Sequence, residues 1–127
     1  MREDVYRELV KVARKRGTIT YKVLGKSVFP EVHYHYRLGE VLGEISEDQS
    51  EKHRPLISVV AVLADSETAL CPKGYPSGGF FGIDSDRIPE PLARSRSHYK
   101  DAYREVHERF IASEQEAVWG FAWPSSP

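Results

Sequence analysis

The sequence has almost no cysteine: Cys71 is the single one among 127 residues, so no disulfide can form within the chain. A long apolar stretch is also missing, because the longest, residues 56–64, falls far short of the ~18 residues that span a bilayer. No apolar segment of the signal-peptide type follows the first residues. We therefore expect a soluble chain that is neither exported nor inserted in a membrane, with a cytoplasmic location.

The sequence also lacks an excess of charge of one sign, because 18 Lys and Arg residues stand against 19 Asp and Glu residues. This balance argues against a protein that coats polyanions over its whole surface, although it leaves local patches open. Hydrophobic residues make up 40% of the chain and charged residues 29%, which is typical of a globular protein. At this length we expect one domain whose core needs neither a metal nor a disulfide.

Two helices are predicted near the N-terminus. Residues 2–15 place apolar side chains at helical spacing, and Gly17 is expected to adopt the left-handed conformation that ends such a helix. A second, short helix is predicted from Tyr21 to about Ser27, with Thr20 as its N-cap. The short β-branched stretch between the helices predicts a brief extended connection.

A third helix and a small sheet are predicted next. After a His-rich turn over residues 33–36, the third helix carries an apolar stripe and an acidic outer face. Residues 56–64, apolar and rich in β-branched side chains, predict a buried central strand. Residues 80–83 predict a second strand that pairs antiparallel with it. The acidic face of the third helix comprises Glu40, Glu44, Glu47 and Asp48.

The C-terminal third predicts a linker, a long helix and an aromatic tail. Residues 84–96 contain two prolines and are interpreted as a surface linker, so that residues 1–83 form the core and residues 97–127 the helix and tail. The helix is predicted to end near Ala117. Aromatic residues in the tail either cover the chain's own core or dock on a second copy, which would give a homodimer. The apolar helix face comprises Tyr99, Ala102, Tyr103, Val106 and Phe110; the tail aromatics are Trp119, Phe121 and Trp123.

The order of the predicted elements is that of a winged helix-turn-helix. Residues 17–21, Gly-Thr-Ile-Thr-Tyr, followed by residues 37–42, Arg-Leu-Gly-Glu-Val-Leu, resemble the DNA-binding domain of the alkylguanine-DNA alkyltransferases and alkyltransferase-like proteins. The resemblance covers about residues 5–60 and implies DNA binding. Separately, residues 54–60 and 76–81 look like a pattern found in small uncharacterised microbial proteins, which implies no activity. The expected fold class is α+β: a winged helix-turn-helix-like three-helix unit with a small antiparallel sheet and a long C-terminal helix.

The resemblance does not extend to the chemistry of that family. The family places its alkyl-accepting cysteine in a Pro-Cys-His-Arg segment after the recognition helix, whereas residues 53–57 here are His-Arg-Pro-Leu-Ile. Cys71 lies in a later loop and does not match that position, so alkyl transfer is not predicted. The family inserts an arginine into DNA, and the match to this arginine is imperfect. Tyr36 stands at the aligned position, and Arg37 is the next residue. Either side chain is a candidate for contact with the bases.

Basic residues are concentrated in the first 37 positions despite the balanced total. A face of this kind can neutralise several phosphates, so we expect nucleic acid, and duplex DNA in the first instance, as the partner. A solvated helix face is the alternative. The candidate nucleic-acid-binding residues are Arg7, Lys11, Arg14, Lys22, Lys26, Tyr36, Arg37 and Arg54.

Two other functions remain open at this point. One is a small metal-dependent nuclease, or another enzyme that processes nucleic acid, using Arg54, Lys73 and an acidic partner beside the central strand. The other is a protein-interaction module built round the aromatic tail. No catalytic residue is assigned, since the histidines lack metal-ligand spacing and residues 74–79 lack the Lys-Ser/Thr of a phosphate-binding loop. We expect no metal site and no cofactor.

Overall fold

The fold is a mixed, mostly helical arrangement with one two-stranded sheet. The structure is a computed structural model that describes residues 2–29, 34–64, 74–93 and 104–127. Two 3-10 turns, the 57–60 turn and the 78–82 turn, lie on either side of the second strand along the chain. The helices and strands are α1 Glu3–Arg14, β1 Ile19–Thr20, α2 Tyr21–Val28, α3 Tyr34–Glu51, β2 Ala61–Val62, α4 Glu90–Ala93 and α5 Arg104–Gly120.

The first two helices form where their patterns predict them. Thr20 Oγ1 accepts a hydrogen bond of 3.2 Å from the backbone N–H of Val23, which confirms Thr20 as the N-cap of α2. The prediction for Gly17 is wrong, because the left-handed residue after α1 is Arg16, with φ of 54°. Gly17 is the next residue of this cap, and its N–H donates to the carbonyl of Val12 at 3.1 Å.

The third helix is confirmed but starts earlier than predicted. α3 begins at Tyr34, so most of the segment expected as a His-rich turn is helical. Leu38, Leu42 and Ile45 are buried, as the apolar stripe predicts. The opposite face, with Glu40, points to solvent.

The sheet is parallel, which corrects the prediction of an antiparallel pair. β1 and β2 pair through Ile19 with Ala61 and Thr20 with Val62. Parallel neighbours require a long crossover connection, and α2 and α3 provide it here. The predicted wing hairpin is not found among the described residues, and a winged helix is not confirmed.

Four of the nine residues of the predicted central strand, residues 57–60, form a 3-10 turn instead, and only Ala61–Val62 are a strand. Residues 57–60 are fully buried, as expected, but the backbone N–H of Ser58 donates to Ser46 Oγ at 3.1 Å. The N–H of Leu56 donates to Glu114 Oε2 at 2.9 Å. Because distant side chains satisfy these N–H groups, no strand neighbour is needed there. The turn lies at the centre of the core, in contact with α1, α3 and α5.

The prediction of a second strand over residues 80–83 is also wrong. Gly78 to Gly82 form the 78–82 turn, in which three glycines flank two phenylalanines. Glycine is depleted in strands because it loses much backbone entropy and packs no side chain. Phe80 and Phe81 are nevertheless buried, and their rings meet edge to face at 5.4 Å.

The C-terminal segments complete the core. Over its described part, residues 84–93, the expected linker contains α4 and contributes the buried Ile88 and Leu92. The predicted start of the last helix lies outside the described residues, and α5 is described from Arg104. The prediction that Val106 faces the core is wrong, because it is 47% exposed. No helix of the described residues has the length and hydropathy of a membrane span.

Candidate nucleic-acid interface

The outer face of α2 carries two lysines. Lys22 and Lys26 are exposed and lie one helical turn apart, so their side chains share a face. α2 contains no acidic residue, and neither lysine has an ion-pair partner in the part of the chain that the structure describes. Val23 beside them is 58% exposed. Both ammonium groups are therefore accessible to an anion from solvent.

A second cationic group surrounds Phe29, where α1 and α3 begin and α2 ends. We call Arg2, Phe29 and Arg37 the Phe29 corner. The guanidinium carbons of Arg2 and Arg37 lie 4.4 and 5.8 Å from the ring centroid of Phe29, which is 7% exposed. Guanidinium groups at these distances make cation–π contacts. Phe29 is the C-cap residue of α2, so the corner lies at the C-terminal end of the helix that carries the two lysines.

The two arginines of the corner differ in what else they contact. Arg2 makes two hydrogen bonds of 2.9 and 2.6 Å to the carboxylate of Asp4, and a third of 3.2 Å to the carbonyl of Val28. The hydrogen bonds from Arg2 lower the pKa of Asp4, and those bonds raise the pKa of Arg2. Arg37 is exposed and has no carboxylate partner among the described residues. Arg37 is therefore the accessible cation of this corner.

The three candidate basic residues of α1 each have a partner within the chain. Arg7 and Lys11 lie 3.7 and 3.2 Å from carboxylates of their own helix, in exposed ion pairs. Arg14 Nη2 donates a hydrogen bond of 2.7 Å to the carbonyl of Trp123. The guanidinium of Arg14 thus fastens the C-terminal tail to α1.

The last two predicted contact residues lie on α3 or just after it. Arg54 Nη1 donates to Oε1 of the buried Gln49 at 2.7 Å, beyond the C-terminal end of α3. Since an α-helix rises ~1.5 Å per residue, this end is on the order of 20 Å from Arg37. Tyr36 belongs to the first turn of α3, but its side chain lies outside the described part. Of the eight candidates, Lys22 and Lys26 share the outer face of α2, and Arg37 contacts Phe29 at the C-terminal end of that helix.

A buried polar centre that the sequence analysis missed joins α5 to the core. Arg87 donates two hydrogen bonds of 2.6 Å to the Glu114 carboxylate, which also accepts from the backbone of Leu56. The Glu114 side chain is 5% exposed and that of Arg87 36%. The hydrogen bonds to Glu114 raise the pKa of Arg87. With its carboxylate satisfied by three donors, this centre is arranged for stability.

The residues of the nuclease alternative are only partly visible. Lys73 lies outside the described residues, as do Cys71 and Asp65, an acidic residue that directly follows the predicted central strand. Over residues 2–29, 34–64, 74–93 and 104–127, no three His, Cys, Asp or Glu side chains are grouped so that they could hold a metal ion. The enzyme alternative stays a prediction.

The aromatic tail packs on its own chain. Trp123 is 4% exposed and its indole N–H donates to the carbonyl of Val118 at 2.7 Å. Tyr6 donates its hydroxyl to the carbonyl of Pro124 at 2.8 Å, which ties the tail to α1. Phe121 packs edge to face on Trp123, with ring centroids 4.6 Å apart. The rings thus cover the chain's own core, while the predicted homodimer stays a prediction.

Comparisons with known proteins give no matching family model, no matching curated protein and no matching solved structure. The resemblance to the alkyltransferase DNA-binding domain stays a prediction. The accessible cations of α2 and of the Phe29 corner are the features of the described structure that suit a polyanion.

Proposed function

We propose that the protein binds nucleic acid, duplex DNA in the first instance, through phosphate contacts of Lys22, Lys26 and Arg37. The observation that carries this proposal is that all three cations are exposed and have no carboxylate partner in the described part of the chain, with the two lysines on one face of α2 and Arg37 in contact with Phe29, the C-cap residue of α2. Lysine and arginine side chains that neutralise phosphates release counterions, which supplies sequence-independent affinity.

The charges of α3 define how a duplex approaches. Arg37 lies in the first turn of this helix, where the helix dipole also favours an anion. Further along, Glu40 and Glu44 are exposed and repel phosphates. α3 therefore meets the nucleic acid with its N-terminal end, as recognition helices present their N-terminal residues to the groove. α2 lies alongside α3, and its lysines contact the phosphate backbone of the nucleic acid, in the manner of a helix-turn-helix.

Fluorescence anisotropy with a labelled duplex tests this proposal. Three phosphate contacts give a slope of about −3 in a plot of log K against log salt, measured between about 50 and 200 mM. Replacing both α2 lysines, Lys22→Ala with Lys26→Ala, is expected to weaken binding and to reduce the slope by about 2. Single-stranded DNA and duplex RNA in parallel titrations identify the preferred class of nucleic acid.

Lys52→Ala is the matched control. Lys52 is a lysine at the far end of α3, paired with Asp48 at 3.2 Å, so its removal is expected to leave binding unchanged. Absence of binding, binding that ignores salt, or an equal loss in Lys52→Ala would each overturn the proposal.

A further inference from the structure

A groove runs between α3 and the 78–82 turn, beside the glutamates of α3. It has an inner compartment of about 260 Å³ and an adjoining outer one of about 400 Å³. Gly39 and Gly43 of α3 line both compartments on one wall, and Gly79 and Ile83 line both on the other. Each compartment is close to the ~300–1,000 Å³ range of small-molecule sites.

The glycines of α3 keep this groove open. Gly39 and Gly43 lie inside a helix, where glycine lowers the stability of the helix relative to alanine. A Cβ atom added at either position meets no atom within 4 Å, so no close packing requires glycine there. Since both glycines line the groove, such side chains would occupy its space. The helix thus forgoes intrinsic stability at the two positions where side chains would narrow the groove.

The inner compartment suits an apolar group. Leu42, Phe80 and Ile83 supply apolar walls. Two hydroxyl groups of its lining already accept hydrogen bonds: Ser58 Oγ accepts from Ser46 at 2.7 Å, and the hydroxyl of Tyr21 accepts from the backbone N–H of Ser77 at 2.8 Å. A ligand group that enters here gains mainly from burial of apolar surface.

The outer compartment is negatively charged on one side only. Glu40, Glu44 and Glu47 line it at spacings of four and three residues, so they share one face of α3. The facing segment, residues 74–83, contains no charged residue. Glu40 and Glu44 have no ion-pair partner over the described ranges. Like charges at this spacing repel one another, and a cation between the walls relieves that repulsion.

We propose that this groove binds a small organic cation, with its apolar body in the inner compartment and its ammonium group beside the three glutamates. The glutamates are not grouped so that they could coordinate a metal ion, which favours a bulky ammonium over a bare divalent cation. The proposal does not rest on nucleic-acid binding, because none of the three proposed phosphate contacts lines the groove.

An amide NMR titration with phenethylammonium, 2-phenylethanol and 3-phenylpropionate tests the proposal. These probes share an aromatic body and differ in charge. The cation is expected to shift the amide signals of Gly39, Gly43, Gly79 and Gly82 saturably, and to bind more tightly than the alcohol. The anion is expected not to bind. Failure of the cation to give saturable shifts, or equal affinity for the three probes, would overturn the assignment.

Two variants separate shape from charge. Gly43→Leu fills the groove and is expected to weaken phenethylammonium binding roughly tenfold or more, without lowering the melting temperature. Glu44→Gln is expected to weaken it roughly threefold. Gly120→Leu is the matched control, since a Cβ there also meets no atom within 4 Å but lies at the end of α5. Unchanged affinity in Gly43→Leu, or an equal loss in Gly120→Leu, contradicts the proposal.

Discussion

Two arginines that join segments of the chain, Arg14 and Arg87, have different surroundings from the two lysines of α2. Arg14 and Arg87 end in hydrogen bonds to a backbone carbonyl and to a buried carboxylate, so each holds two segments together. Lys22 and Lys26 end in solvent. The same positive charge therefore serves stability in one region and remains available for binding in the other. We expect substitutions in the first group to change folding and those in the second to change binding.

Loss of the buried Arg87–Glu114 ion pair is expected to give the largest change in the free energy of unfolding. Arg87→Ala leaves the Glu114 carboxylate buried without its main partner, and we expect the free energy of unfolding to fall by about 3 kcal/mol. This value is at the low end for buried pairs, because a third of Arg87 is exposed. Urea unfolding followed by circular dichroism measures it. Arg109→Ala, which breaks an exposed pair on α5, serves as the control. A loss below about 1 kcal/mol in Arg87→Ala contradicts the stabilising role.

Arg14 and Lys15 are neighbours that sharpen the comparison. Arg14→Ala removes the hydrogen bond to the Trp123 carbonyl and is expected to lower the free energy of unfolding by about 1 kcal/mol. Lys15→Ala removes an equal charge that has no carboxylate partner among the described residues, and is expected to change the free energy of unfolding by less than about 0.5 kcal/mol. Thermal melts of both variants provide the test. Equal effects would show that charge, and not the contact with the tail, matters.

The Arg2–Asp4 pair is expected to give a small dependence of stability on pH. The pKa of Asp4 lies below its ordinary value of 3.8, so the pair contributes stability above that value and loses it as the pH falls through the folded pKa. With 45% of the Asp4 side chain exposed, we expect Asp4→Asn to cost less than about 1 kcal/mol. Urea titrations at about pH 5 and pH 2 should show this cost disappearing in acid. If Asp4→Asn destabilised the protein more in acid than near neutral pH, the prediction would be contradicted.

The α2 lysines are expected to have the smallest effect on stability. Lys22→Ala and Lys26→Ala are each expected to change the free energy of unfolding by less than about 0.5 kcal/mol, because both side chains end in solvent and alanine favours a helix. The same variants weaken DNA binding in the salt titration described above. A loss of stability above about 1 kcal/mol would place these lysines with the structural cations.

The helices of the N-terminal half could be predicted because their signals are local. The cap of α2 needs only Thr20 and the N–H three residues later, and the stripe of α3 follows from helical spacing. The exposure of Lys22 and Lys26 follows from the same spacing. The corner that joins Arg37 to Phe29 could not be predicted, since it depends on how α1, α2 and α3 meet.

The errors of prediction lie where distant side chains replace local partners. Residues 57–60 have the composition of a strand, yet Ser46 and Glu114 satisfy backbone N–H groups in and beside them. In α5 the buried face includes His107 and Glu114, so its apolar pattern is broken by polar residues that find partners only in the folded chain. Hydropathy alone therefore could not locate that face.

The sequence by itself determined the first three helices, the cap of α2, the burial of residues 56–63 and the concentration of cations near the N-terminus, because these depend on spacing along the chain. Only the tertiary structure decided which cations are fastened to carbonyls or carboxylates, that the sheet is parallel, and that glycines of α3 and of the 78–82 turn face each other across a groove. The physical reason is that hydrogen bonds and packing between segments far apart in sequence form only when the core brings those segments together.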